Sequence, residues 1–307
     1  MQRAPSGLRS LPGARLAELE RRAPEWRTWL RLLAEVERAR LDPQWAVALS
    51  DGPLGTPTDT PPGSGAPLLH GRTLPTDGAR VGRLLRRLST LASAGGPAGS
   101  ATLAGYRPSA EHALALLTAA LRRDRSGLAQ LAAARGIDAA ALTSIAELAV
   151  IPLLSAAAGA LRSRRAHWSY GYCPVCGAWP TLAERRGLER ACVLRCGRCG
   201  ADWPWEWLRC VFCGERNHDR LGLLVPAEAR ETRRAETCLR CRCYLKSLAV
   251  LQPAAPVELL VLDLDTVELD LAALDRRFAR PDGNGYPIDV RVAARPRRPF
   301  RRLFTDA

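Results

Sequence analysis

Four Cys-x-x-Cys pairs stand in order along this sequence: Cys173/Cys176, Cys196/Cys199, Cys210/Cys213 and Cys238/Cys241. A two-residue gap lets both thiolates of one tight turn point at a single ion. A glycine after the second cysteine relieves the turn and frees backbone N–H groups to hydrogen-bond the sulfurs. Two such turns complete a tetrahedral four-sulfur site. The first two pairs are separated by 19 residues, inside the spacing of a metal ribbon, and the last two by 24, slightly beyond it. Sequential pairing is therefore expected, with Cys173, Cys176, Cys196 and Cys199 forming one site and Cys210, Cys213, Cys238 and Cys241 the other. The competing arrangement joins the two middle pairs across the ten residues from Gly200 to Arg209, a short span for a ribbon finger. Tetrahedral thiolate suits zinc and mononuclear iron equally. A closed four-cysteine site leaves no open position for a substrate, which argues against metal-assisted hydrolysis.

Cys192 and Cys243 are left over and are expected to be small shielded residues. His218 lies near the second site as a possible replacement ligand. No phosphate-cradling glycine loop, no His-Glu-x-x-His and no Gly-x-Ser-x-Gly is present. All ten cysteines follow position 172, so they belong to one region.

The elements that must carry these turns divide the chain. Residues 1–165 show helical spacing nearly throughout, with Trp26, Trp29, Leu30, Leu33 and Val36 forming one stripe after Pro24. Further helices are expected from Thr76, from Ser109 (with Leu114, Leu117, Leu121, Leu128 and Leu131) and from Asp138, the latter two residues acting as caps. From Asp51 to Pro75, 11 of 25 residues are proline or glycine, which predicts an irregular surface connection. Residues 166–204 and 205–285 are expected as two rubredoxin-like, zinc-ribbon-like modules of four cysteine ligands each, and residues 286–307 as a basic tail. Within the second module, Val257–Leu264 reads as a strand, and Asp265 with Glu268 has the spacing to open a helix to about Phe278. Trp203, Trp205 and Trp207 alternate, placing all three on one face of a strand. The expected fold is thus a helical domain followed by a small β region.

The chain carries 45 basic and 31 acidic residues for a net charge of +14, and 44 of the bases are arginine. Together with 50 alanines this skew reports a GC-rich coding bias and weakens any argument from charge alone. Lys246 is the single lysine. A nucleic-acid-binding ribbon, with the tryptophans as a stacking platform, is one alternative function, although the charge is spread as +9 over residues 1–165 and +5 over the rest. No apolar run near the amino terminus has the form of a secretory signal. The stretch Ala139–Leu161 is alanine-rich and broken by Glu147 and Pro152, which favours a core helix over a membrane span.

The order of the turns and their flanks resembles the formate dehydrogenase accessory protein family, the FdhE type. The motifs are YCPVCGAWP at Tyr172–Pro180, Trp203 after the second turn, RCVFCG at Arg209–Gly214, and a run of Glu236, Cys238, Cys241, Tyr244, Leu245 and Lys246. The acidic segment Asp263–Asp270 fits as well. The resemblance is firm over residues 165–280. It implies a non-enzymatic cytoplasmic assembly factor for the catalytic molybdenum- or tungsten-dependent subunit of formate dehydrogenase, with a pair of rubredoxin-like iron sites. A rubredoxin-like electron carrier is the remaining alternative. Within this resemblance, Lys246 and Tyr244 are expected as contacts to a partner or to metal-site backbone, because a compact ammonium stands where the chain otherwise writes guanidinium.

Overall fold

The computed structural model describes residues 11–45, 65–162, 168–226 and 232–295. The helical part contains α1 (Leu11–Arg22), α2 (Arg27–Leu41), α3 (Gly78–Gly95), α4 (Ala110–Arg122), α5 (Arg125–Ala133), α6 (Ala139–Ala149) and α7 (Ile151–Ala160). The expected caps are present. Ser109 Oγ accepts the His112 N–H at 3.2 Å and Asp138 Oδ1 accepts the Ala141 N–H at 2.8 Å, while Asp77 does the same for α3 through Ala79. Their apolar faces meet in one core through Leu33, Leu85, Leu117, Leu142 and Leu154, all fully buried.

Several expectations are corrected here. Leu128 and Leu131 do not continue the helix of Leu121, because Arg123 takes a left-handed conformation (φ 54°) and Asp124 caps a new helix. Trp29 lies at the edge of its stripe, 36% exposed, and Trp26 sits in the turn before α2. The proline- and glycine-rich connection is not irregular to its end. Its first part, 51–64, lies outside the described residues, whereas Leu69 and Leu74 are fully buried and Arg72–Thr76 is strand β1. Of the basic tail, residues 296–307 lie outside the described residues. Val290–Ala294 forms β8, which pairs in parallel with β1 in the register Arg72↔Val290.

The cysteine-bearing half is built on one six-stranded sheet. Its strands are β2 (Leu182–Arg186), β3 (Ala191–Arg195), β4 (Asp202–Pro204), β5 (Leu221–Leu224), β6 (Arg233–Cys238) and β7 (Tyr244–Val250), in the spatial order β4-β3-β2-β7-β6-β5. Each module repeats one plan: cysteine turn, antiparallel hairpin, cysteine turn, third strand. The third strand of the second module, β7, then joins the first strand of the first module, β2, in parallel register Leu182↔Lys246. That pairing fuses two small modules into a single sheet.

Val257–Leu264 is helical, not a strand. Pro256 opens α8 (Pro256–Leu264) at a position that needs no N–H, and the Glu258 carboxylate takes the Ala255 N–H at 3.2 Å. The run is apolar because two faces are covered, so it lacks clear helical periodicity. Asp265 ends α8 and does not cap α9 (Val267–Asp275); it pairs with Arg22 and Arg233 instead. The three alternating tryptophans separate as well. Only Trp203 lies within a strand, 2% exposed, whereas Trp207 is 60% exposed on the following loop. A common stacking face is therefore absent.

Lys246 and Tyr244 are interior residues, which corrects their expected role as partner contacts. Lys246 is fully buried on β7. Its Nζ donates to Asp263 O at 2.5 Å and Asp270 Oδ2 at 2.7 Å, and pairs with Asp263 Oδ1 at 2.7 Å. Tyr244 donates to Asp270 Oδ1 at 2.6 Å, and Arg280 closes the cluster from the other side. Asp263 O, Asp263 Oδ1 and Asp270 Oδ2 converge on one small ammonium, so the residue ties the α8–α9 corner to the sheet with a point charge that a larger planar guanidinium does not reproduce.

Two outcomes follow for stability. Lys246→Met leaves Asp263 and Asp270 to Arg280 and costs about 1.5 to 3 kcal/mol, and Lys246→Arg overfills the pocket at about 1 to 3 kcal/mol, both measured by denaturant unfolding. Burial opposes the charge on Asp270, yet the hydrogen bonds from Lys246 and Tyr244 and the charge of Arg280 prevail and hold its carboxyl below the ordinary range. A depressed folded value means this stabilisation is complete above the unfolded pKa of about 3.9 and is lost as pH falls through the folded value. Asp270→Asn flattens the acid limb of the stability curve below about pH 4.

Candidate metal centres

The four cysteine turns share one backbone design. The residue following each second cysteine donates its N–H to the carbonyl of the first: Gly177 to Cys173, Gly200 to Cys196, Gly214 to Cys210 and Arg242 to Cys238, at 2.9 to 3.0 Å. The first cysteine then makes a strand-like bond, as from Cys173 N–H to Ala178 O at 2.8 Å. The closing residue needs positive φ. Three turns supply glycine at φ 69°, 74° and 74°, and the fourth forces Arg242 to 58°. The guanidinium of Arg242 donates to the carbonyl oxygens of Arg276 and Arg277 and lies 4.3 Å from the Phe278 ring, contacts that offset the backbone strain.

These turns meet in the sequential pairing. Cys173, Cys176, Cys196 and Cys199 form one cluster and Cys210, Cys213, Cys238 and Cys241 the other, with the sulfurs of each within 4.8 Å of one another. Cross-pair distances are 3.4 and 3.6 Å in the first cluster and 3.7 Å twice in the second. A tetrahedron with metal–sulfur bonds of about 2.3 Å has edges of about 3.8 Å, so both donor sets fit such an ion. Each cluster could hold one metal ion, and nothing in thiolate geometry separates iron from zinc. His218 takes no part; it is exposed and faces Asp219.

The environments differ. All four sulfurs of the first cluster are buried within the main core, and the chain segments 67–69 and 286 close over the Cys173 turn through Leu68 N–H to Pro174 O and Tyr286 N–H to Gly177 O. Trp168, Tyr170, Tyr172 and Tyr286 pack ring to ring beside it. Burial pushes the Cys173 and Cys199 thiols up, whereas hydrogen bonds from the other three sulfurs hold Cys176 down. A negative charge on Cys176 is thus held by the three sulfurs around it.

The counter-charge comes from a residue that spacing alone does not flag. Arg198, between the ligands of the second turn, reaches the end of α4 and donates to Ala120 O at 2.6 Å. Its Nε and Nη1 have no hydrogen-bond partner among the described residues. A buried guanidinium without a carboxylate is costly, and its charge lowers the Cys176 thiol. Arg123 lies on the same side, feeling both Cys176 and Cys196. An anionic tetrathiolate resolves both costs at once.

The second cluster is more open, with Cys213 and Cys241 partly exposed. Cys192 and Cys243 stand outside both clusters. Burial lifts Cys192 to about 11, and Cys243 Sγ contacts Cys241 O at 3.5 Å. Neither has thiolate character.

Two glycines separate strain from space. A methyl group on Gly200 would meet Pro256 at 2.8 Å, whereas one on Gly214 would meet nothing within 4 Å. Gly214→Ala costs about 1 kcal/mol for its positive φ. Gly200→Ala adds overpacking of about 1 to 3 kcal/mol, so its thermal midpoint falls further.

No family model matches the chain. A protein named FdhE homolog from Aquifex aeolicus is 31% identical over 140 residues, which is 44% of this chain and 49% of that protein. A second FdhE homolog, from Haemophilus influenzae, is 32% identical over 121 residues, 38% of each. The chain therefore matches half or less of the length of these relatives. The crystal structure of the FdhE protein from Pseudomonas aeruginosa is similar across 90% of this chain and 94% of that one, with a TM-score of 0.58 and 22% identity, a likeness of fold. The chain is thus similar to proteins named FdhE homolog over part of their length, and to an FdhE protein in fold.

Proposed function

We propose that this protein is a non-enzymatic accessory factor in the maturation of formate dehydrogenase. In this reading it binds the catalytic molybdenum- or tungsten-dependent subunit in the cytoplasm and brings it to activity. The observation that carries the reading is the combination of curated FdhE relatives with a fold likeness to an FdhE protein over nine-tenths of the chain. The eight cysteines of the two clusters hold one ion each, iron by resemblance or zinc by equal chemistry. A bound ion supplies a cross-link that the loop-rich half otherwise lacks, worth about 10 to 16 kcal/mol in small structural sites. Four protein ligands per ion leave no position for a substrate, in keeping with a structural or sensing role rather than turnover.

The chain's own residues support this division of labour. Arg198 and Arg123 fix the first cluster against the helical part, so its ion would lock the two halves of the molecule together. The second cluster lies beside exposed apolar residues, Trp207 and Leu223. One helix pair, Ala139–Ala160, is long and apolar enough to cross a membrane by composition, but over half of it is buried inside the fold.

Purification from the source cell under anaerobic, reducing conditions tests the reading. It predicts co-isolation of a large molybdenum- or tungsten-enzyme subunit and roughly two iron or zinc ions per chain. Recovery of nucleic acid in its place, with binding that falls steeply with salt, would contradict it.

A further inference from the structure

The two modules are repeats, and one edge that is covered in the first is open in the second. In the first module β2 follows the opening cysteine turn, pairs antiparallel with β3, and receives β7 in parallel on its other side. Strand β5 holds the same place in the second module. It follows the turn at Cys210 and pairs antiparallel with β6, and among the described residues it ends the sheet. The bond from Leu239 N–H to Arg220 O sets the ladder's alternation, which turns the backbone groups of Leu221 and Leu223 outward. Leu223 is 55% exposed on this edge. An open edge with an apolar side chain is a template for another strand.

A cavity of ≈ 350 Å³ adjoins this edge. Leu221 and Leu223 line it from β5, Leu245 from β7, and the loop carrying Trp207, Leu208 and Phe212 roofs it. Leu208 holds φ 57° with its side chain 58% exposed, a strained apolar residue at the rim. The lining includes Arg185, Arg209 and Arg234 against Glu206 and Glu236, an excess of one positive charge. Arg185 is 5% exposed. It binds Glu236 at 2.5 Å and Ser247 at 3.2 Å, while its Nη1 has no partner among the described residues.

We infer that the open edge of β5 docks an extended peptide segment of a client protein, added in parallel as β7 is added to β2. One large apolar side chain of the segment enters the cavity, and a carboxylate two residues away, on the same face, answers the excess guanidinium charge. The site takes a peptide rather than a free small acid because half of what it offers is unpaired strand backbone. The proposal stands apart from the identity of the client.

The probe is a peptide copying β7, the occupant of the equivalent edge, with the serine at the place of Ser247, which shares a face with Leu245, replaced by glutamate (YLKELAV, fluorescein-labelled and amidated). Its partner is the unaltered copy, YLKSLAV. Anisotropy with the metal-loaded full chain is expected to show saturable binding of the glutamate peptide, with the unaltered peptide about tenfold weaker. Leu223→Pro removes an outward N–H without touching the β5–β6 ladder and weakens both peptides about tenfold. Arg185→Met weakens the glutamate peptide alone. Since Leu223 is exposed, its variant keeps the wild-type thermal midpoint, which separates lost binding from lost folding. No saturable binding below about 1 mM, or binding indifferent to Leu223→Pro, overturns the inference. Equal binding of the two peptides to wild type overturns its electrostatic half.

Discussion

Beyond the main core, the cysteine-bearing half has little apolar interior of its own. Its separate clusters are small: Ala235, Tyr244, Leu269, Ala273 and Phe278 in one, Leu182, Leu248, Leu259 and Leu262 in the other. What organises it is the convergence of paired cysteine turns, each fixed by a backbone bond across the turn and a left-handed residue at its end. The turns set where each hairpin begins, the hairpins set the sheet, and the sheet sets where the clusters and the cavity lie. An ion in each cluster would add a cross-link to that framework.

Charge then distributes the consequences. The first cluster sits in the main core and meets Arg198 and Arg123, so a charged metal–thiolate unit there would be balanced without solvent. The second lies nearer the surface beside exposed Trp207 and Leu223. Lys246 answers a different need, gathering Asp263 and Asp270 at the corner that joins sheet to helices. The same economy of one buried cation among acceptors explains why arginine does not replace it in so arginine-rich a chain.

Much of this was legible in the residues. Cysteine spacing gave both clusters, because two-residue gaps encode a local turn and loop length limits which turns can meet. Ser109 and Asp138 announced helix starts, since capping is also local. What escaped was set by distant partners. Leu69 and Leu74 emerge from a proline- and glycine-rich run because β8, far along the chain at Val290–Ala294, pairs with β1. Val257–Leu264 resembled a strand because burial on two faces erased its helical period, and the tryptophan alternation at 203–207 extended past the end of a three-residue strand. Arg198 carried no motif; its meaning lies in the helix end it reaches.

The central claim is that two four-thiolate sites organise half of the fold. Titration of the metal-free, reduced protein with Co(II), followed by its tetrahedral ligand-field absorption and by circular dichroism, tests it most directly. Saturation is expected at roughly two ions per chain, with sheet structure and thermal stability rising in step with the absorption. A metal-free protein as folded and as stable as the loaded one, or a saturation without tetrahedral thiolate bands, would contradict it.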